Sequence, residues 1–203
     1  MKKEEKTFRN VNILNNYYQT SSFYPMPTVL ITTLSEEGKT NIGAYSLVFP
    51  FGIAGEHAMM LISRADSNTA KNIRRTKVAA LNFIPYDKKM LTNTVSLGFP
   101  GKTAEEKLKE SIFTLVDSHR KQEEEGEGEG EYPEIIEEAI QVFECTWNDN
   151  PDTFHYKGTE DESHFLLKID KILLKNKWYD ALLKGEGFPS LPIDYGFRDN
   201  IQF

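Results

Sequence analysis

Thr28-Val29-Leu30-Ile31-Thr32-Thr33-Leu34, then Ser35-Glu36-Glu37-Gly38, then Asn41-Ile42-Gly43-Ala44-Tyr45-Ser46-Leu47-Val48-Phe49-Pro50-Phe51 is the most informative stretch of the chain. The first run is β-branched and mostly apolar, the composition that fits a pleated, buried strand. The tetrapeptide after it carries turn formers, with a glycine at its end. The second run is again apolar and predicts one strand from Asn41 to Phe51. Two strands around so short a turn make a hairpin.

Outward from that hairpin, the strand signal recurs. Ala58 to Ser63 reads as a third strand and Val78 to Ile84 as a fourth, stopped by Pro85. Val142 to Trp147 and His164 to Leu174 return to the same patterning. Between the third and fourth strands, Asp66-Ser67-Asn68-Thr69 offers side chains that favour helix N-caps, so a helix of two turns is predicted to run to Arg75. Thr103 to Lys121 reads as the longest helix, because Leu108, Ile112, Leu115, Val116 and His119 recur at helical spacing. Thr103 and Glu106 supply its capping box. A further short helix is expected from Pro133.

The opening to Tyr18 reads as a loose arm or short helix, and Phe188 to Phe203 as an extended tail. Glu123 to Glu131 alternates Glu with Gly and has nothing to bury, which makes it a solvated linker. Strands outnumber helices and follow one another in hairpin fashion. The fold class is therefore mainly β with peripheral helices, a β-barrel rather than an alternating βαβ sheet.

The bulk numbers narrow the function. At 203 residues, with 39% hydrophobic and 12% aromatic residues, the chain can bury a sizeable core. A formal charge of −7 argues against nucleic acid as a partner, since phosphate neutralisation needs a basic face. A lone cysteine, Cys145, excludes an internal disulfide. Met1 to Asn10 lacks the apolar core of a signal peptide, and glycines, Pro50, Glu56 and His57 interrupt Ala44 to Ile62, a poor membrane span. The expected setting is the cytoplasm, with no membrane partner.

Two segments carry candidate binding chemistry. In Ser63-Arg64-Ala65-Asp66-Ser67-Asn68-Thr69-Ala70-Lys71-Asn72 a strand end leads into a helix start rich in hydroxyls, amides and cations. Free N–H groups and the helix dipole make such a corner an anion site, and simple capping by Asp66 or Ser67 explains it equally well. In the second strand, Gly43 and Ala44 permit close approach of a planar ring and Ser46 offers a donor, although a plain barrel strand accounts for the same residues.

Other chemistries find less support. His155, Glu160, Asp161, Glu162 and His164 lack metal-site spacing, so no metal is expected. No nucleophile elbow and no dinucleotide-binding glycine motif is present. Cys145 beside Trp147 reads as a buried, inert thiol. No catalytic side chain is assigned.

The order of these pieces resembles the flavin-reductase-like proteins. Pro25-Met26-Pro27-Thr28 through Thr33, Gly38 with Asn41, Ser46, Thr69 with Asn72-Ile73, and Leu81-Asn82 carry the likeness, with the flavoredoxin sub-group most similar. Glu144-Cys145, His164 and Pro192-Ile193-Asp194-Tyr195 extend it. The resemblance implies an FMN-binding split β-barrel that works as a homodimer, a single domain over 1–203. A helical and acidic insertion at about 97–140 lies outside the likeness.

The resemblance also implies site residues. Asn41 and Ser46 with the backbone of Tyr45, Leu47 and Val48 would face the ring and ribityl. Ser63, Arg64, Ser67, Asn68, Thr69 and Asn72 would hold the phosphate. Many flavoredoxin-like members have Lys-Asp where this chain has Ser67-Asn68, which would shift the phosphate toward Arg64 or Lys71. NAD(P)H is the implied reductant, passing hydride to the flavin. A small-molecule reductase, an electron carrier that keeps its FMN and serves an acceptor protein, and a binding module without catalysis all stay open.

Overall fold

The computed structural model describes residues 25–51, 57–120, 132–149, 158–187 and 189–194. The chain divides into two units, 27–192 and the terminal segments 1–26 with 193–203. Few residues of the terminal unit are described; there Met26, in β1 (Met26–Pro27), belongs to a two-stranded ladder with β11 (Ile193–Asp194). The expected opening arm, most of the extended tail, the Glu-Gly linker and His155 lie outside the described residues.

Unit 27–192 is built on a seven-stranded antiparallel sheet of order β3-β2-β6-β9-β10-β5-β4. Its strands are β2 (Val29–Leu34), β3 (Thr40–Tyr45), β4 (Val48–Phe51), β5 (Ala58–Arg64), β6 (Val78–Phe83), β9 (Gln141–Trp147) and β10 (Glu162–Leu174). The hairpin is as expected: Val29 opposes Tyr45 and Leu34 opposes Thr40, around a turn in which Gly38 takes a φ of 70°.

The expected single strand from Asn41 to Phe51 is two strands. It breaks at Ser46-Leu47, where the N–H of Val48 donates to the Ser46 carbonyl at 3.0 Å. β4 then joins the opposite edge of the sheet, pairing Val48 with Leu61 and Phe51 with Ala58. That break forces the sheet to curl. Seven strands laid flat at the usual spacing would separate the two edges by about 29 Å. The three Cα steps from Tyr45 to Val48 reach at most about 11 Å. The edge strands must therefore come round to meet, leaving a barrel split beyond their junction. A bulge at Ile169/Lys171 interrupts the register of β10, the longest strand.

One apolar cluster draws residues from both ends of the sheet, so it fills the concave face: Val29 and Ile31 of β2, Val48 of β4, Leu61 of β5, Leu81 of β6 and Phe165 of β10. Helix α1 (Asn68–Thr76) caps this interior with Ala70 and Ile73. The convex face of β2, β3, β6 and β9 is buried too, by the segment that follows β6. Helices α2 (Lys88–Leu97) and α3 (Ala104–Glu110) and the short ladder of β7 (Leu115–Val116) with β8 (Ile135–Ile136) place Leu97, Phe113, Ile135 and Ile136 against Leu30, Ile42 and Val142. Cover on both faces explains why β2 reads as a continuous apolar run rather than an alternating one.

The expected long helix from Thr103 stops at Glu110. Its capping box forms as predicted, but Ser111 turns extended, and Leu115 and Val116 pair as strand with β8 instead of winding on. Ile135-Ile136 is strand rather than the start of a helix at Pro133, for the same reason. α2 and α4 (Asn176–Lys184) carry no strong sequence signal and were not expected. Among the described residues no helix is long and apolar enough to cross a membrane.

Candidate functional site

The corner where β3 ends, β5 ends and α1 begins gathers the candidate residues, in two layers. The inner layer is a buried amide and hydroxyl network. Asn41 Nδ2 donates to Thr33 Oγ1 and Thr69 Oγ1, each at 3.4 Å, and Asn72 Nδ2 donates to Thr33 Oγ1 at 3.0 Å. Asn41, Thr69 and Asn72 are all buried. Their bonds fasten α1 to β2 and β3, as buried polar groups must be fastened. Oδ1 of Asn41 has no hydrogen-bond partner among the described residues.

The outer layer is a chain of hydroxyls. Tyr45 Oη lies 2.9 Å from Ser63 Oγ and donates to Ser67 Oγ at 3.3 Å, while the two serine hydroxyls are 2.8 Å apart. Ser67 is the N-cap of α1, accepting from the Ala70 N–H at 3.0 Å. The capping reading of this helix start therefore holds for Ser67, and further hydroxyls and cations lie beside it. Arg64 stands at the exposed end of β5, 3.3 Å from Asp66. Asn68 Nδ2 donates to the Lys102 carbonyl at 2.9 Å, tying the first turn of α1 to the loop before α3.

Ser46 and Leu47 are half-buried at the β3–β4 break, and the Val48 side chain points into the concave core while its N–H donates to the Ser46 carbonyl. The small residues of β3 serve packing. A Cβ on Gly43 would lie 2.6 Å from Thr69 Oγ1 and 2.8 Å from Tyr45 Cε2, so α1 and Tyr45 occupy the space the missing side chain leaves. Ala44 faces the end of α2, where a Cβ on Gly98 would be 3.4 Å from its own.

Sequence inspection passed over Lys102 and Lys107. Lys107 lies on α3, buried, with Nζ donating to the Ile42 carbonyl at 3.2 Å. Burial first, then Lys102 and Arg64, hold its amine below the usual lysine range. A lysine inside a surface-looking Glu-Glu-Lys-Leu-Lys-Glu helix offers no signal of burial.

Elsewhere the chemistry is quiet. Cys145 is buried, and desolvation above all pushes its thiol well above the ordinary range, the mark of an inert thiol. His164 Nε2 sits 2.9 Å from Glu162 Oε1. Among the described residues no three His, Cys, Asp or Glu side chains are grouped to hold a metal ion.

The fold has known counterparts. Flavoredoxin from Methanosarcina acetivorans superposes with a TM-score of 0.62 at 19% identity, covering 97% of this chain and 96% of that one. An NADH:FAD oxidoreductase from Streptomyces globisporus gives 0.67 at 10% identity, with 95% and 96% covered. The styrene monooxygenase flavin reductase from Pseudomonas putida gives 0.60 at 8% identity, with 90% and 94% covered. At these identities the likeness establishes the split-barrel architecture. The family model described as the flavin reductase like domain matches residues 21–190, well over half of the sequence, and the chain therefore belongs to that family.

Proposed function

We propose that FMN is the flavin of this chain, bound at the β3–β5–α1 corner, and that NAD(P)H reduces it. Family membership already carries a flavin-binding, reductase-type function. The proposal adds the flavin, its place and its handling. The observation that supports it is the Tyr45–Ser63–Ser67 hydroxyl chain beside Arg64 and the start of α1. Small hydroxyls, a guanidinium and a helix N-terminus together match a phosphate monoester in charge and donor geometry.

Ser63, Arg64, Ser67 and Asn68 would hold the phosphate. Asn41, Thr69 and Asn72 act behind them by fixing α1 on the sheet. Ser46 and the backbone of Tyr45, Leu47 and Val48 would orient the ring, and backbone N–H groups near its pyrimidine edge would stabilise negative charge on it. A bound flavin supplies the hydride and electron chemistry itself, so no nucleophile is required of the chain. The protein works in the cytoplasm as a homodimer. Exposed Tyr179, Leu182 and Leu183 of α4 supply apolar surface suited to a second copy.

The purified protein should take up FMN in preference to FAD, the flavin for which the Streptomyces globisporus neighbour is named. Mixing with NADH or NADPH should then bleach the visible flavin absorbance within seconds. Binding without bleaching would leave an electron carrier, and no uptake of any flavin would defeat the proposal. Arg64→Ala should weaken FMN binding by about 1–3 kcal/mol, the range for a lost charged hydrogen bond. Unchanged affinity would show that the phosphate lies elsewhere.

A further inference from the structure

Among the described residues Lys107 has no counter-charge. Its side chain belongs to a residue only 8% exposed, and one of its three ammonium donors is used, by the Ile42 carbonyl. Among the described residues no carboxylate is paired with it, and the charges that act on it, from Lys102 and Arg64, are both positive. A buried ammonium is costly unless an opposite charge comes to it. The other two cations are partly answered already, Lys102 by Glu110 and Arg64 by exposed Asp66.

The three cations come from a strand end, a loop and a helix. Arg64 ends β5, Lys102 precedes α3 and Lys107 lies within it. The Asn68–Lys102 hydrogen bond holds that loop to the first turn of α1. Lys107 itself reaches β3, the strand whose end carries Tyr45. The segment after β6 thus does more than cover the convex face of the sheet.

We propose that Lys107 is the buried counter-charge for the phosphate group of the flavin, with Lys102 and Arg64 as further cations near it. The inference rests on the flavin reading above and assigns to α3 a specificity role for flavins that carry a phosphate. It also answers the departure at Ser67-Asn68: the cation absent from the start of α1 is supplied from α3.

The test compares FMN with riboflavin, which lacks the phosphate, by quenching of flavin fluorescence. In the wild-type chain FMN should bind more tightly, and inorganic phosphate should both compete with FMN and raise the melting temperature of the flavin-free protein. In Lys107→Met the FMN dissociation constant should rise about tenfold or more, the scale of a charge-assisted hydrogen bond, while that of riboflavin stays within about twofold. Phosphate should no longer shift the melting temperature. Lys102→Met, on an outer loop, carries the same comparison should Lys107→Met fail to fold, with a smaller loss of FMN preference expected.

A variant that keeps the full preference for FMN and the full response to phosphate overturns the inference alone. A wild-type chain that binds neither flavin overturns the FMN reading with it. In that case a phosphate response abolished by Lys107→Met would still mark an anion site, with flavin excluded as its ligand.

Discussion

Gly43 shows how tightly one residue can be constrained by its neighbours. Its φ lies outside the left-handed region, so backbone freedom is not what the position uses. The constraint is space: Thr69 Oγ1 and the Tyr45 ring stand where a methyl group would go. Neither can swing clear cheaply, because Thr69 is buried in the first turn of α1 and also accepts from Asn41. Gly43→Ala should therefore destabilise the fold by about 1–3 kcal/mol, the usual cost of overpacking. Urea denaturation checks this, and a midpoint equal to that of the parent would mean that α1 is free to shift.

At the scale of the element, α3 depends on its first turn. With seven residues it is too short to persist by propensity. Thr103 Oγ1 accepts from the Glu106 N–H at 3.2 Å, and the Glu106 carboxylate accepts from the Thr103 N–H at 2.8 Å. That backbone bond, followed by the Thr103 hydroxyl, holds the Glu106 carboxyl below its ordinary value. A depressed carboxylate stabilises the folded state above its unfolded pKa of about 4.5 and loses that contribution as the pH falls through the folded value. Thr103→Ala should cost about 1 kcal/mol near neutral pH, and the deficit relative to the parent should shrink in acid. Thermal melts at neutral and acidic pH measure both. Because α3 carries Lys107, the same variant should also weaken FMN binding.

Across the whole barrel unit, the decisive feature is how the two edges of the sheet are brought together. β3 and β5 stand far apart in the strand order, first and sixth of seven, and the Tyr45 hydroxyl reaches from β3 to Ser63 of β5 and to Ser67. Tyr45→Phe removes that bridge and keeps the ring. The serine hydroxyls still satisfy each other at 2.8 Å, so no buried group is orphaned and the loss should stay near 1 kcal/mol. Amide exchange should quicken at the ends of β3 and β5 in particular. Protection unchanged at both ends would show that the short Ser46-Leu47 junction alone holds the split closed.

Residue types and their local order were enough for much of this protein. The β2–β3 hairpin, the Ser67 cap and the Thr103 capping box rest on contacts a few residues apart, and strands β5, β6, β9 and β10 show in their own apolar patterning, although their pairing partners are distant. The grouping of Ser63 to Asn72 was legible for the same reason, since one strand end and one helix start hold all of it. What tertiary structure decided depends on partners far away in the chain. The Asn41–Phe51 run is mostly apolar, and Ser46 by itself does not say that the chain changes edges there. Curling of the sheet sets that point. Ile112 to Val116 has helical spacing and β-branched content together, and Ile135-Ile136 tips Leu115 and Val116 to strand. Lys107 reads as a surface lysine until β3 is placed beneath α3, because burial, unlike periodicity, is a property of what packs on top.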